Sequence, residues 1–171
     1  MSENLEILIK EKNDHGVIRF TMNDSVSKNA LSKKLISLLI DELRSVSLDE
    51  SIKVIVLAAN GNVFSAGHDL KEITSARNNK DNGESFFKDL FNLCSELMQL
   101  IIKIPQPVIA EINGIATAAG CQLVASCDLA LASSESQFAT TGEQTGLFCS
   151  TPMVALSRKV TQTSSMPILF P

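Results

Sequence analysis

Tyrosine and tryptophan are both absent from the 171 residues. Their loss removes the side chains best suited to stacking on unpaired bases. The formal charge of −4 adds no general attraction for a phosphate backbone or an anionic membrane surface. Nucleic acid is therefore not an expected partner. The longest stretch without a charge, Ile112–Cys127, is too short to cross a bilayer and contains Asn, Gly and Gln, so no membrane span is expected. The opening residues, MSENLEILIK, show no basic segment leading into an apolar block and no Arg-rich presequence character. A bacterial-type cytoplasm is the expected location. The four cysteines (94, 121, 127 and 149) form no CxxC pair and have no histidine at zinc spacing. Reduced, buried thiols are expected, and no metal site. The patterns GxxxxGK[ST], GxGxxG and GxSxG are missing too. Phosphate-loop, dinucleotide and serine-hydrolase chemistry thus have no anchor.

What is present is an ordinary globular balance, 44% apolar and 20% charged, in a chain long enough for one core. LEILIK and GVIRFTM read as strands around the turn-forming NDHG. Leu31, Leu35, Leu38, Leu39, Leu43 and Val46 recur at helical spacing. KVIVLAA reads as a buried strand, and a short helix follows FSAGHDL with Asp69 near its start. NNKDNGES is expected to be a mobile loop before an amphipathic helix over Glu84–Ile102. PVIAEI, Ala118–Ser126 and DLALAS continue the alternation as strand, helix and strand. The order implies an α/β domain with one core over residues 1–160. The ending TQTSSMPILFP (161–171) neither continues the preceding helical pattern nor caps it, and is expected to be an aberrant or disordered tail.

Two junctions stand out, FSAGHDL and GIATAAGCQL. In each, small residues let a ligand approach the main chain, and a helix start offers unpaired N–H groups. Two such groups converging on one point form an oxyanion hole, suited to a thioester carbonyl that gains charge. Small residues also serve close helix packing, so neither junction is decisive alone. The intervening strand PVIAEI makes the pair more specific.

Together with KNAL (28–31), VIVLAANGNVFSAGHDLKE (54–72), PVIAEINGIATAAGCQLVASCDLALAS (107–133) and SQFATTGEQTGLFCSTP (136–152), these junctions make the chain resemble the enoyl-CoA hydratase/isomerase (crotonase) superfamily. The resemblance implies a spiral of ββα units whose pocket binds acyl-CoA, with coenzyme A as part of the substrate and no separate cofactor. It implies trimers or hexamers built with further C-terminal helices, which this chain would lack, leaving that assembly in doubt. In a eukaryote it implies the mitochondrion.

Carried over by position, the amides of His68 and Ala119 would form the oxyanion hole, and the His68 imidazole itself is not expected to act. Lys28 would approach the CoA phosphates or be plain surface. Ala30, Ala66, Leu70, Ile115, Ala118 and Gly142 would line the ligand path. Asp69 would cap its helix or face the pocket. Active hydratases of the family hold two glutamates where this chain has Gln122 and Gly142. A carboxamide has no proton to exchange at neutral pH, and losing an acid–base group lowers a rate by about 10²–10⁴-fold. Glu143, one position away, could take one acid–base role or be an exposed loop residue. Glu72 and Glu111 are weaker candidates, and Cys121 is expected to serve packing. Two functional classes follow: a thioester-polarising enzyme, or an acyl-CoA binder without catalysis. A truncated product that folds poorly is a third reading.

Overall fold

The computed structural model describes residues 6–142, 146 and 148–169. An antiparallel pair opens the chain, β1 (Leu8–Lys12) and β2 (Val17–Met22), followed by helix α1 (Lys33–Ser47). The Ser32 hydroxyl accepts from the Leu35 amide at 3.2 Å, so α1 starts after Ser32 rather than at Leu31. Three ββα units then repeat the same path. They are β3 (Val54–Ala59), β4 (Val63–Ser65) and α2 (Leu70–Ala76); β5 (Val108–Ile112), β6 (Ile115–Thr117) and α4 (Ala119–Ser126); and β7 (Leu129–Ala132), β8 (Gln137–Ala139) and α5 (Ser150–Lys159). Helix α3 (Glu84–Lys103) is inserted after the first unit.

The first strand of each unit joins one sheet of order β1-β2-β3-β5-β7, and the second joins a small parallel sheet, β4-β6-β8. The three short strands of the small sheet are a correction to the sequence reading, which passed from each long strand straight to a loop. Three residues are too few to show alternation. The spiral of ββα units holds.

The core lies between the large sheet and helices α1 and α3. Ile18, Phe20, Ile55, Leu57, Val108 and Ala110 point into it from the strands, and Leu35, Leu39, Leu43, Leu97 and Ile101 from the helices. On the opposite sheet face the register aligns Arg19, Val56 and Ile109, and there Arg19 pairs with Glu111. Strand β7 forms the sheet edge, with Leu129 and Leu131 about three-fifths exposed at 61% and 62%. Asp128 ties it in: its carboxylate accepts from the Val108 amide at 2.8 Å.

Two loop expectations change. The segment before α3 is a series of turns tied through Asp81, whose carboxylate accepts from the Gly83 and Ser85 amides and the Ser85 hydroxyl. These bonds, the Ser85 hydroxyl foremost, pull the Asp81 pKa down to about 2. The tail is helix α6 (Gln162–Leu169), with Ser165 and Leu169 buried. Disorder was the wrong expectation because Leu169 joins Cys121, Ala125 and Leu156 in a small second core, a tertiary contact that local periodicity does not report. Both the amide and the hydroxyl of Thr140 donate to the Ile168 carbonyl, at 2.9 and 3.0 Å.

Asn29 is a further anchor. It is fully buried, has a φ of 49°, and donates through Nδ2 to the Asn60 and Val63 carbonyls while Oδ1 accepts from the Asp24 amide. Asn29→Ala would leave three backbone groups short of a partner in a left-handed conformation that alanine tolerates poorly. Urea unfolding should show a loss of about 2–4 kcal/mol. A loss below half of that would mean that the turn is held mainly by something else.

Candidate functional site

Strands β4 and β6 run parallel, with Ser65 opposite Ala116, so the chain leaves the same end of the small sheet twice. One exit is Ala66–Asp69 and the other is Ala118–Gly120. The two exits abut. A Cβ on Gly67 would stand 3.0 Å from the Ala118 Cβ and 3.3 Å from the Ala119 nitrogen. A Cβ on Gly120 would collide with the Ser65 carbonyl. The Thr117 hydroxyl donates to the Ala66 carbonyl at 3.1 Å and closes the seam. The Lys28–Leu31 turn is stitched alongside: the Ala66 amide donates to the Lys28 carbonyl at 3.1 Å, and the Leu31 amide to the Gly67 carbonyl at 2.7 Å.

An accounting of the amides at this seam separates the bonded from the unbonded. Ala66, Gly67, Ala118 and Gln122 each donate, to Lys28, the Ser65 hydroxyl, Ala139 and Ala118 respectively. Among the described residues, the N–H groups of His68 and Ala119 donate to no protein acceptor, nor do those of Gly120 and Cys121 in the first turn of α4. Unbonded amides are usual in the first turn of a helix, so the His68 amide, which precedes α2, is the less common of them. Ala118 sets one of them, with φ 49° and ψ −122°, a region that L-residues rarely occupy. Such a conformation costs about 1–3 kcal/mol and clusters at functional sites. It turns the peptide that carries the Ala119 N–H at the first residue of α4.

Two polar side chains flank the seam, each with one buried atom that has no partner. Gln122, in the first turn of α4, is only 9% exposed, its Oε1 is buried and unbonded, and no described group bonds its carboxamide. The His68 imidazole packs edge-on against Phe91 with ring centres 5.6 Å apart, and its Nδ1 is buried without a partner. Burial lowers the His68 pKa, partly opposed by a bond to the Leu31 backbone. Phe91 and Asn29 carry no signal in the sequence: one is a helix position among many, the other a turn residue whose buried bonds come from three distant segments.

The remaining expected residues fall into three groups. Lys28 is exposed and its carbonyl accepts from the Ala66 amide, and Ala30 is buried in the same turn. Asp69 caps α2, accepting from the Lys71 and Glu72 amides at 2.7 and 3.4 Å, and Leu70 beyond it is 72% exposed. Gly142 follows Thr140 in a helical turn, whereas Ile115 stands at the far end of β6 from the seam. Glu143 lies outside the described residues. Glu111 and Glu72 are engaged elsewhere: the former is paired with Arg19, which lowers its pKa, and the latter accepts from the Lys33 amide. The four cysteines are free, and burial pushes Cys94, Cys121 and Cys127 up to about 11, 11 and 12, leaving no thiolate nucleophile among them. No cluster of metal-ligating side chains occurs among the described residues, and no described helix is long and apolar enough to cross a membrane.

The repeated ββα path with its two parallel sheets is that of a crotonase-type spiral. The comparisons give the family. The enoyl-CoA hydratase/isomerase family model matches residues 12–170, and the chain belongs to that family. It is 48% identical over 157 residues to the mitochondrial enoyl-CoA hydratase domain-containing protein 3 of Xenopus laevis, covering 92% of this chain and 52% of that protein. The human protein of the same name is 44% identical over 155 residues, with 91% and 50% covered. Among solved structures, an enoyl-CoA hydratase of Mycobacterium smegmatis superposes with a TM-score of 0.88 at 43% identity, covering 96% of this chain and 62% of that one. The human domain-containing protein 3 gives 0.87 at 41%, covering 96% and 63%. The chain spans about half the length of the curated relatives it matches.

The buried imidazole makes stability depend on pH in a defined direction. Its folded pKa lies below that of the unfolded chain, so the unfolded state binds the proton more readily. The contribution is therefore intact above the ordinary histidine value and declines as the pH falls through it. Urea midpoints measured from about pH 8 to pH 5 should fall more steeply for the unmodified chain than for His68→Asn. Parallel curves would show that the imidazole titrates as it does when unfolded.

Proposed function

We propose that this protein binds acyl-CoA thioesters and polarises their carbonyl between the amides of His68 and Ala119. The observation that carries the reading is the pair of unspent N–H donors on two abutting junctions. A carbonyl oxygen between them accepts two hydrogen bonds that strengthen as charge moves onto it, which favours enolate-like states. The donors belong to the main chain, so histidine and alanine side chains leave them intact. Lys28, exposed beside Ala66, would meet the CoA phosphates. Ala66 and Leu70 would border the adenine and pantetheine, with Gln122 and Gly142 beside the acyl group. Fatty acid metabolism is the setting that kinship suggests, in the mitochondrion where the source is eukaryotic, as the relatives' names suggest, and in the cytoplasm otherwise.

Binding of butyryl-CoA labelled with ¹³C at the thioester carbonyl tests this directly. Calorimetry should report a complex, and infrared difference spectra should show the carbonyl band moved to lower frequency. Gly67→Ala, which forces the seam apart at a φ of 88°, should lose both signals. A folded protein that binds no acyl-CoA, or binds it with an unshifted carbonyl, would sink the proposal.

A second reading, a binder without turnover, is favoured by Gln122 and Gly142. Neither can exchange a proton, and both stand where the family resemblance implies glutamate. The double variant Gln122→Glu, Gly142→Glu should raise hydration of a short enoyl-CoA by about 10²–10⁴-fold. Should the unmodified chain already hydrate at a rate that this variant fails to improve, the missing-carboxylate reading is wrong.

A further inference from the structure

The two edges of the large sheet are built differently. One edge, β1, carries Lys10, Glu11 and Lys12, and both lysines are held in ion pairs, with Glu42 and Asp49. Charged side chains of that kind discourage a further strand from adding. The other edge, β7, reads Leu-Ala-Leu-Ala, without charge or proline, and all four residues are exposed. We propose that β7 is where a second copy of this chain docks, the two β7 strands pairing antiparallel about a two-fold axis through Leu131.

The backbone sets that register. The Ile55 amide donates to the Pro107 carbonyl, and the Ser133 amide donates to the Ile112 carbonyl. Ile112 stands opposite Ala132. Alternation along the ladder therefore gives the amides and carbonyls of Leu129 and Leu131 to β5 and turns those of Ala130 and Ala132 outward. About an axis at Leu131, Ala130 of each copy lies opposite Ala132 of the other, and each such pair exchanges both of its N–H···O bonds. An axis at Ala130 would instead set Ala132 against Asp128, whose amide already donates to the Val108 carbonyl.

The side chains agree with this register. Leu129 and Leu131 lie on the sheet face of Ile109 and Glu111. Leu131 would meet its own symmetry mate in the close, non-hydrogen-bonded position, where Cα atoms stand about 4.5 Å apart. On the other face an apolar cavity of about 270 Å³ lies against Ala130, walled by Val124, Ala125, Leu156 and Val160. Apolar surface thus flanks the edge on both sides, and joining two sheets removes part of it from water. The Asp128 carboxylate, at the start of the strand, is engaged by the Val108 amide. A contact of this kind satisfies both edges at once and closes at two copies.

Sedimentation of the purified chain over about a hundredfold concentration range into the micromolar should show a reversible monomer–dimer equilibrium. Leu131→Lys and Leu131→Glu each set like charges against one another on the axis. Each should raise the dissociation constant at least about tenfold, with an unchanged far-UV spectrum because the side chain is exposed. An equimolar mixture of the two variants should regain the dimer, since lysine then faces glutamate. Leu129→Lys, equally exposed but opposite Ser133 of the second copy, should weaken the dimer far less. A chain that stays monomeric throughout overturns the proposal, and so do assemblies larger than a dimer. A mixture that fails to associate while the unmodified chain dimerises also overturns it, because the contact then lies elsewhere.

Discussion

The site hangs on two places where no side chain separates one run of backbone from another. At Gly67 and Gly120 the strands of the small sheet release their chains so close together that a single added carbon would meet the opposite junction. Closeness of that kind decides which amides find internal partners. The carbonyls that could satisfy the His68 and Ala119 donors are already taken: Gly67 accepts from Leu31, Ala66 from Thr117, and Ala118 from Gln122. The His68 amide is thus left over by a seam whose neighbouring carbonyls are engaged. The strain at Ala118 persists because its amide is fixed to Ala139 and its carbonyl to Gln122, so the surrounding contacts over-determine its conformation.

Much of this was legible in the residues themselves. The apolar spacing from Leu35 to Val46 specifies α1, because leucine every third or fourth position can face only one side of a helix. SAGH and TAAG announce bare backbone, and the fold brings them together. What stayed hidden has a common cause. Strands β4, β6 and β8 are three residues each, and their pairing is decided by partners about 20 to 50 residues away. The burial of Asn29 depends on carbonyls from the loop between β3 and β4. The helical tail was illegible for the same reason: Pro167 and a charge-free run argue against a helix locally, and only the contact of Leu169 with α4 and α5 shows why one forms.

The polar groups around the seam are neutral, and that shapes what the site can hold. A buried carboxamide oxygen without a donor costs about 1–3 kcal/mol, and the Gln122 Oε1 is such an oxygen. A carboxylate in the same position would incur a larger desolvation penalty and would resist an anionic state on the ligand.

Helix α6 reaches the seam by a polar clasp as well as by the packing of Leu169 on α4. Thr140 grips the Ile168 carbonyl with both its amide and its hydroxyl, and the same short strand end bears Ala139, whose carbonyl fixes Ala118. Tension applied near the last described turn would pass along that clasp to the peptide that aims the Ala119 amide. Affinity tags and fusion partners are therefore better placed ahead of residue 6 than behind residue 169, where a bulky neighbour would tug on the strained Ala118 peptide.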